Sequence, residues 1–203
     1  MSERRAVCTA GRVLLPAPVL PLSVTLAECL KGRRSTRDFS SEPLSAAQLS
    51  ALLWAAFGIN RPHSGGRTAP SAHDWQEIDV YAVMAEGSFR YDPQGHALSR
   101  VADGDLRHAT GTQGFVASAP LNLVYVADDA RMVDSEVDDR PFLAGADAGC
   151  IAQNVYLYCA GSGLCTVVRG LIDRPRLAGL LGLGTSQRVA LAQSVGHPPL
   201  QPD

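Results

Sequence analysis

Lysine is almost absent from this chain. Of the 18 basic residues in its 203, 17 are arginine and one, Lys31, is lysine. A Schiff-base or general-base lysine could therefore only be Lys31. The net charge is −2 and the arginines are scattered, which excludes a general nucleic-acid binder, because that needs a basic face. The five cysteines (8, 29, 150, 159 and 165) contain no C-x-x-C, so a zinc ribbon or thioredoxin motif is excluded. Their odd number and irregular spacing also argue against a disulfide framework. Cys150, Cys159 and Cys165 lie among apolar neighbours and read as small core residues. No stretch reaches the roughly 20 apolar residues of a membrane span. Arg4 and Arg5 are not followed by a clean apolar run: Arg12, Pro16, Pro18 and Pro21 interrupt it. The segment LAEC ending at Cys29 carries Glu28 where a lipoprotein signal would not. A secretory leader is therefore not expected, and a cytoplasmic protein is.

Catalytic signatures are missing too. There is no P-loop, no G-x-S-x-G and no H-E-x-x-H. Gly161-Ser162-Gly163 lacks a third glycine and follows a helical stretch, so it is not a dinucleotide fingerprint. The five histidines (63, 73, 96, 108 and 197) are not spaced as metal ligands. Asp128-Asp129 and Asp138-Asp139 read as solvated surface. What remains is ordinary globular composition, 46% hydrophobic and 19% charged, at the length of one domain. The expected layout is an extended arm over 1–22, one domain over 23–199 and a tail over 200–203.

Within it, Ser23 is placed to cap a short helix over 24–32. Ser45 and Gln48 form a capping box for a helix bearing Leu49, Leu52, Leu53, Ala56 and Phe57, ended by Gly58. Residues 58–72 read as a long loop, which in a compact domain is usually functional. Strands are expected at 78–84, 88–92, 96–101, 120–128, 164–170 and 188–196, with a mostly helical stretch over 103–118. Residues 142–160 form the strongest helix, apolar on nearly all sides except Asp147 and therefore buried. Its many small residues allow another helix close approach, one from a second subunit included. Asp173 caps a last short helix. Helices come first and strands later, without strict alternation, which points to an α+β mixed sheet.

Three clusters carry possible chemistry. Arg33, Arg34, Ser35 and Arg37 set three guanidiniums and a hydroxyl within five residues, suited to a phosphate or an acceptor-rich heterocycle. Pro70 to Gln76 combine a rigid turn, a hydroxyl and small residues. Gly163 to Gly170 set a glycine after a strand, where backbone can approach a ligand.

In this order the clusters resemble the nitroreductase family of flavin enzymes. R-R-S-x-R-x-F is matched by Arg33, Arg34, Ser35, Arg37 and Phe39. The P-S-A-x-N-x-Q-like loop is matched by Pro70, Ser71, Ala72 and Gln76. D-A-G-x-x-A-Q-N is matched by Asp147, Ala148, Gly149, Ala152, Gln153 and Asn154. G-L-x-T is matched by Gly163, Leu164 and Thr166, and V-G-x-P by Val195, Gly196 and Pro198. The resemblance implies a nitroreductase-like α+β fold with a mixed, mostly antiparallel sheet flanked by helices. It implies a homodimer with the 142–160 helix in its core and two FMN sites at the subunit interface. Arg33, Arg34 and Ser35 would hold the phosphate and ribityl end, and Arg37 the pyrimidine side. Pro70, Ser71 and Ala72 would come from the partner subunit, with Asp74 and Gln113 as further cofactor contacts. The turn Val167, Val168, Arg169, Gly170 would lie by the isoalloxazine, with a backbone N–H facing N5.

The implied activity is ping-pong hydride transfer from NAD(P)H through FMN to a nitroaromatic, a quinone or another small acceptor. The flavin would carry the chemistry, with no separate catalytic residue, metal, nucleic acid or membrane partner. Departures matter. Asp74 and Glu77 stand where the family has asparagine and proline, which would put two acids near the flavin. The basic residues that clamp the phosphate in many members after the last strand are missing, leaving the 33–37 cluster, Arg61 or Arg67 to balance it. Two alternatives follow: an azoline dehydrogenase acting on modified peptides, whose lysine–tyrosine pair has no match here, and a module of the same fold that has lost FMN.

Overall fold

The computed structural model describes residues 8–9, 11–20 and 23–199. The expected tail over 200–203 and part of the arm lie outside the described residues. The elements run β1 (Cys8–Thr9), β2 (Arg12–Leu14), α1 (Leu26–Gly32), α2 (Ala46–Phe57), β3 (Ile59–Arg61) and β4 (Gly66–Arg67). Then come β5 (Ile78–Met84), β6 (Gly87–Asp92), β7 (Ala97–Ala102), β8 (Leu121–Asp128), α3 (Arg140–Ser162), β9 (Cys165–Arg169), α4 (Arg174–Leu180) and β10 (Gln187–Gly196).

Eight strands form one sheet in the order β1-β2-β7-β6-β5-β8-β10-β9, and β3 and β4 form a separate hairpin. Every pairing among the described residues is antiparallel. The expected α+β fold with a mostly antiparallel sheet is thus the observed one. The arm is not loose where it is described, because β2 pairs with β7 along Arg12–Leu14.

Alternation in β8 explains why its sequence is apolar throughout. Leu121, Leu123, Tyr125 and Ala127 face a core shared with Leu52, Leu53 and Phe57 of α2 and Ile151 and Val155 of α3. Val124 and Val126 face the opposite core, with Tyr81, Ile172 and Leu177 of α4. A central strand covered on both sides has no polar face to show.

Local signals act as expected at most helix ends. The Ser45–Gln48 box is formed: Gln48 N–H donates to Ser45 Oγ at 3.2 Å, and Ser45 N–H to Gln48 Oε1 at 2.9 Å. Asp173 caps α4 by accepting from Arg176 N–H. The cap of α1 is Thr25 and not Ser23. Thr25 has Glu28 three residues on to complete a capping box, whereas Ser23 has Leu26, which accepts nothing.

Three of the expected elements change. Part of the 58–72 loop, Ile59–Arg67, folds as the β3–β4 hairpin, whose strands are too short to show alternation. The 103–118 stretch holds only two single turns of 3₁₀ helix, at Arg107–Ala109 and Gly114–Val116. Gly111, Gly114 and the threonines around them form helix poorly, and Thr112 N–H is held by Leu171 O at 3.3 Å. Finally, α3 buries one face and not all sides. Ala144, Ala148, Ile151, Val155 and Tyr158 are buried, while Phe142, Ala146, Cys150 and Gln153 form an exposed stripe. Of the three cysteines expected in the core, Cys159 is buried, Cys165 half-buried and Cys150 exposed.

The acidic pairs also divide. Asp138 and Asp139 are exposed as expected, but Asp128 and Asp129 are bonded to the chain. Asp128 accepts from Ser186 Oγ at 2.8 Å, and Asp129 pairs with Arg188 at 2.9 Å. Among the described residues no helix is long and apolar enough to cross a membrane.

One polar interaction crosses the core. Glu77, at the entry to β5, is wholly buried, and Asp147 of α3 is 7% exposed. Ser71 Oγ donates to Glu77 Oε2 at 3.0 Å, while Glu77 Oε1 has no protein partner. Burial pushes the Glu77 carboxyl up, opposed by hydrogen bonds from its own backbone and Ser71, and the nearby Asp147 carboxylate raises it further. The folded protein therefore keeps a proton that the unfolded chain releases near 4.5. Its stabilisation is complete below that pH and is lost as pH rises through the raised folded value. Urea unfolding of Glu77→Gln across pH 5 to 9 is expected to lose this decline, with stability at pH 8 at least that of the parent. A steeper decline in the variant would contradict the assignment.

Candidate functional site

The arginine cluster leaves α1 at its C-cap, where Arg33 N–H donates to Cys29 O at 2.9 Å. Residues 33–40 then run without regular structure along the outer edge of β9. Thr36 N–H donates to Thr166 O at 3.0 Å, and Ser40 N–H to His197 O at 3.0 Å. Tyr156 of α3 completes the fastening: its hydroxyl hydrogen-bonds Ser35 Oγ at 2.7 Å and accepts from Val168 N–H at 3.0 Å. The Arg33 guanidinium lies 5.2 Å from the Tyr156 ring centroid, in cation–π geometry. Arg34, Ser35 and Arg37 are exposed. Among the described residues none of Arg33, Arg34 and Arg37 pairs with a carboxylate, whereas Arg12, Arg90, Arg100, Arg107, Arg131 and Arg188 all do. Beside Arg34, a cleft of about 210 Å³ is lined by Thr36, Tyr156, Gly163, Thr166 and Pro198, among others. Three unpaired guanidiniums on a pinned loop make an anion-receiving edge.

The turn 167–170 ends β9 on the same edge. The Val168 N–H points outward, away from β10, and is taken by Tyr156. Gly170 follows the last residue of the strand. A polar core lies behind. Thr166 Oγ1 donates to Ser194 O at 2.8 Å, Gln193 Nε2 to Thr166 Oγ1 at 3.0 Å, and Tyr125 Oη to Gln193 Oε1 at 2.6 Å.

Arg169 points inward and is buried. It donates to Thr110 O at 2.7 Å and to Asn122 Oδ1 at 2.8 Å. It thereby ties the turn to the segment carrying Gln113, which is half-buried at the N-cap of a 3₁₀ turn. Phe115 of that segment lies 6.0 Å from Phe39, the last residue of the arginine motif. Residues 33–39, 113–115 and 167–170 are thus brought together.

Residues 70–74 are not brought to them in the same chain. Ala72 N–H donates to Asp147 Oδ2 at 2.8 Å, fixing that loop nine residues up α3 from Tyr156, about 13 Å along the helix. The loop is strained: His73, Asp74 and Gln76 have φ of 49°, 55° and 50°. His73 stacks on Trp75 at 4.6 Å, and Asp74 Oδ1 accepts from Gln76 Nε2 at 3.0 Å. Ser71 Oγ accepts Gln76 N–H at 2.8 Å. Glu77 is interior, under the loop, and cannot face a cofactor. Arg67 is committed too, donating to Gln76 Oε1 at 2.7 Å, so it does not serve as a phosphate clamp within its own chain.

Sequence reasoning missed Tyr156, Thr36 and Asn122. Tyr156 was legible only as one more residue of an apolar helix. Thr36 acts through its backbone, and Asn122 sits inside a strand whose neighbours are apolar; none leaves a motif.

Comparison with known proteins fits this geometry. Residues 30–197 match the sequence profile described as the Nitroreductase family. A protein of Methanocaldococcus jannaschii that carries the nitroreductase name is 34% identical over 158 residues, covering 72% of this chain and 79% of that one. A crystal structure from Ralstonia eutropha JMP134, carrying the same name, superposes with a TM-score of 0.90 at 42% identity, over 99% of this chain and 96% of that one. The NADPH:FMN oxidoreductase of Vibrio harveyi, solved with NAD+, shares the fold at a TM-score of 0.64 and 22% identity, over 88% and 72% of the two chains. With a profile match that spans all three motif clusters and a relative that aligns end to end, the chain belongs to the nitroreductase family, a family of oxidoreductases.

Proposed function

We propose that this chain is an FMN-dependent oxidoreductase that takes a hydride from NAD(P)H and hands it to a small acceptor, such as a nitroaromatic or a quinone. The observation that carries the reading is the set of three carboxylate-free guanidiniums, Arg33, Arg34 and Arg37, pinned beside the turn 167–170. The donor set fits FMN: a dianionic phosphate needs concentrated positive charge, and the ring carbonyls need planar donors. Bound there, FMN would supply the hydride-accepting N5.

The chain's own residues bind and orient. Arg33, Arg34 and Ser35 hold the phosphate and ribityl end, with Arg33 kept in place by the Tyr156 ring. Arg37 reaches the pyrimidine edge. Val167 and Val168 lie beside the ring, Gly170 N–H is the donor that faces N5, and Gln113 approaches from the segment fastened by Arg169.

A second copy completes the site. The loop with Pro70, Ser71, Ala72 and Asp74 is held away from its own arginine cluster, so it serves a neighbour's. The exposed stripe of α3 (Phe142, Ala146, Cys150, Gln153) supplies the face for a homodimer. Phe142 is 76% exposed in the single chain, which an apolar contact would relieve. The free cysteines suit a reducing cytoplasm.

Purified protein is expected to be yellow, with about one FMN per chain released on denaturation and anaerobic bleaching by NADH or NADPH. A colourless protein that binds no FMN on titration supports the flavin-free module instead. Arg34→Ala is expected to weaken FMN binding about 10- to 150-fold, the worth of one or two charge-assisted bonds, while thermal unfolding of the apoprotein stays within a few degrees. In solution the parent is expected at twice the 21.5 kDa chain mass, and Ala146→Arg is expected to give monomers that lose FMN. A monomeric parent retaining FMN would sink the shared-site arrangement.

A further inference from the structure

Arg169 is 4% exposed and has no counter-ion among the described residues. Its guanidinium donates to Thr110 O at 2.7 Å, Asn122 Oδ1 at 2.8 Å, Ser194 Oγ at 3.2 Å and Thr110 Oγ1 at 3.4 Å. Beyond these it meets the Phe115 ring, 5.9 Å to the centroid. Every one of these acceptors is neutral, and no ion pair among the described residues includes it. Arginines far more accessible than this one, such as Arg12 and Arg188, have an aspartate each. Burial lowers the Arg169 guanidinium to about 10, which leaves it protonated at neutral pH.

Burying a cation without a counter-ion costs free energy that the fold recovers only through well-made hydrogen bonds. Here that cost is met behind the turn 167–170, at the end of the edge strand β9. The space is tight, since a Cβ on Gly111 would fall against the guanidinium. Asn122 alone spends its side chain on three contacts there, accepting from Arg169 and from Ser194 Oγ at 2.6 Å and donating to Val116 O at 2.8 Å. An arginine needed only for packing could be replaced by an apolar side chain without this apparatus.

We propose that Arg169 sets the redox balance of the bound flavin: its uncompensated guanidinium favours the reduced, more negative form of the cofactor. The inference rests on the flavin reading above. Hydride transfer moves two electrons and one proton from the reduced nicotinamide to the flavin. The nicotinamide gains one positive charge and the flavin one negative charge, so a fixed cation in a site of low polarisability favours the product side. Arg169 touches no reacting atom; it acts through its field, as neighbouring charge tunes a cofactor's electronics.

The test is the midpoint potential of bound FMN, measured by spectroelectrochemistry on the holoprotein. Arg169→Met is expected to lower the ratio of affinities for reduced over oxidised FMN at least tenfold, about 30 mV for a two-electron couple. Arg169→Lys keeps the charge and is expected to stay closer to the parent. Asn122→Asp settles the matter if the methionine variant does not fold. It keeps Arg169, gives up only the Nδ2 donation to Val116 O, places a carboxylate where Oδ1 already lies 2.8 Å from the guanidinium, and is expected to lower the ratio in the same way. A folded Asn122→Asp holoprotein whose potential equals the parent's overturns the proposal and leaves Arg169 a packing residue. A parent that takes up no FMN overturns the flavin reading itself, and this inference with it.

Discussion

The packing of α3 on the central strands is the constraint from which the rest of the site takes its spacing. The helix can lie close to the sheet because its inner face is largely alanine, at 144, 148 and 152, filled out by Ile151 and Val155. A helix seated at that depth is a rigid ruler. Asp147 marks one point on it and holds the strained 70–76 loop through Ala72 N–H; Tyr156 marks another and holds both the arginine loop and β9. The two fastenings therefore stand nine residues apart on one rigid helix, about 13 Å along its axis.

Eight of the arginines show three contrasting environments. Arg12, Arg107, Arg131 and Arg188 meet aspartates near the surface, where each pair contributes little. Among the described residues, Arg33, Arg34 and Arg37 meet no carboxylate on an exposed loop, and Arg169 meets none in the interior. The side chain is the same, but its environment decides whether it meets a carboxylate, neutral acceptors or solvent.

Much of this architecture was legible in the residues. Caps gave away α2 and α4, because Ser45–Gln48 and Asp173 act within four residues of themselves. Strands β5 to β10 were legible from apolar runs and alternation, and the arginine cluster from density alone. What escaped depended on partners far along the chain. The 103–118 stretch has helical composition in part, but its conformation is set by Leu171 and Arg169, more than 50 residues away. Glu77 looked like an acid beside a cofactor; only the fold shows that it meets Asp147 from below. Tyr156 joins three elements through one hydroxyl, and no local pattern announces that. The exposed stripe of α3 was hidden for the opposite reason, since small apolar residues look alike whether they face a core or a partner.

The arginine loop has a second consequence through the strand it covers. The eight-stranded sheet ends at β1, two residues long, on one side and at β9 on the other. A short edge recruits other chains poorly, but β9 has five residues rich in β-branched side chains, and its outer groups would template a foreign strand. Thr36 and Tyr156 occupy Thr166 O and Val168 N–H, so the arginine loop also blunts the sheet's longer margin. A chain that releases that loop bares a strand edge, and self-association becomes a competing fate of the folded protein.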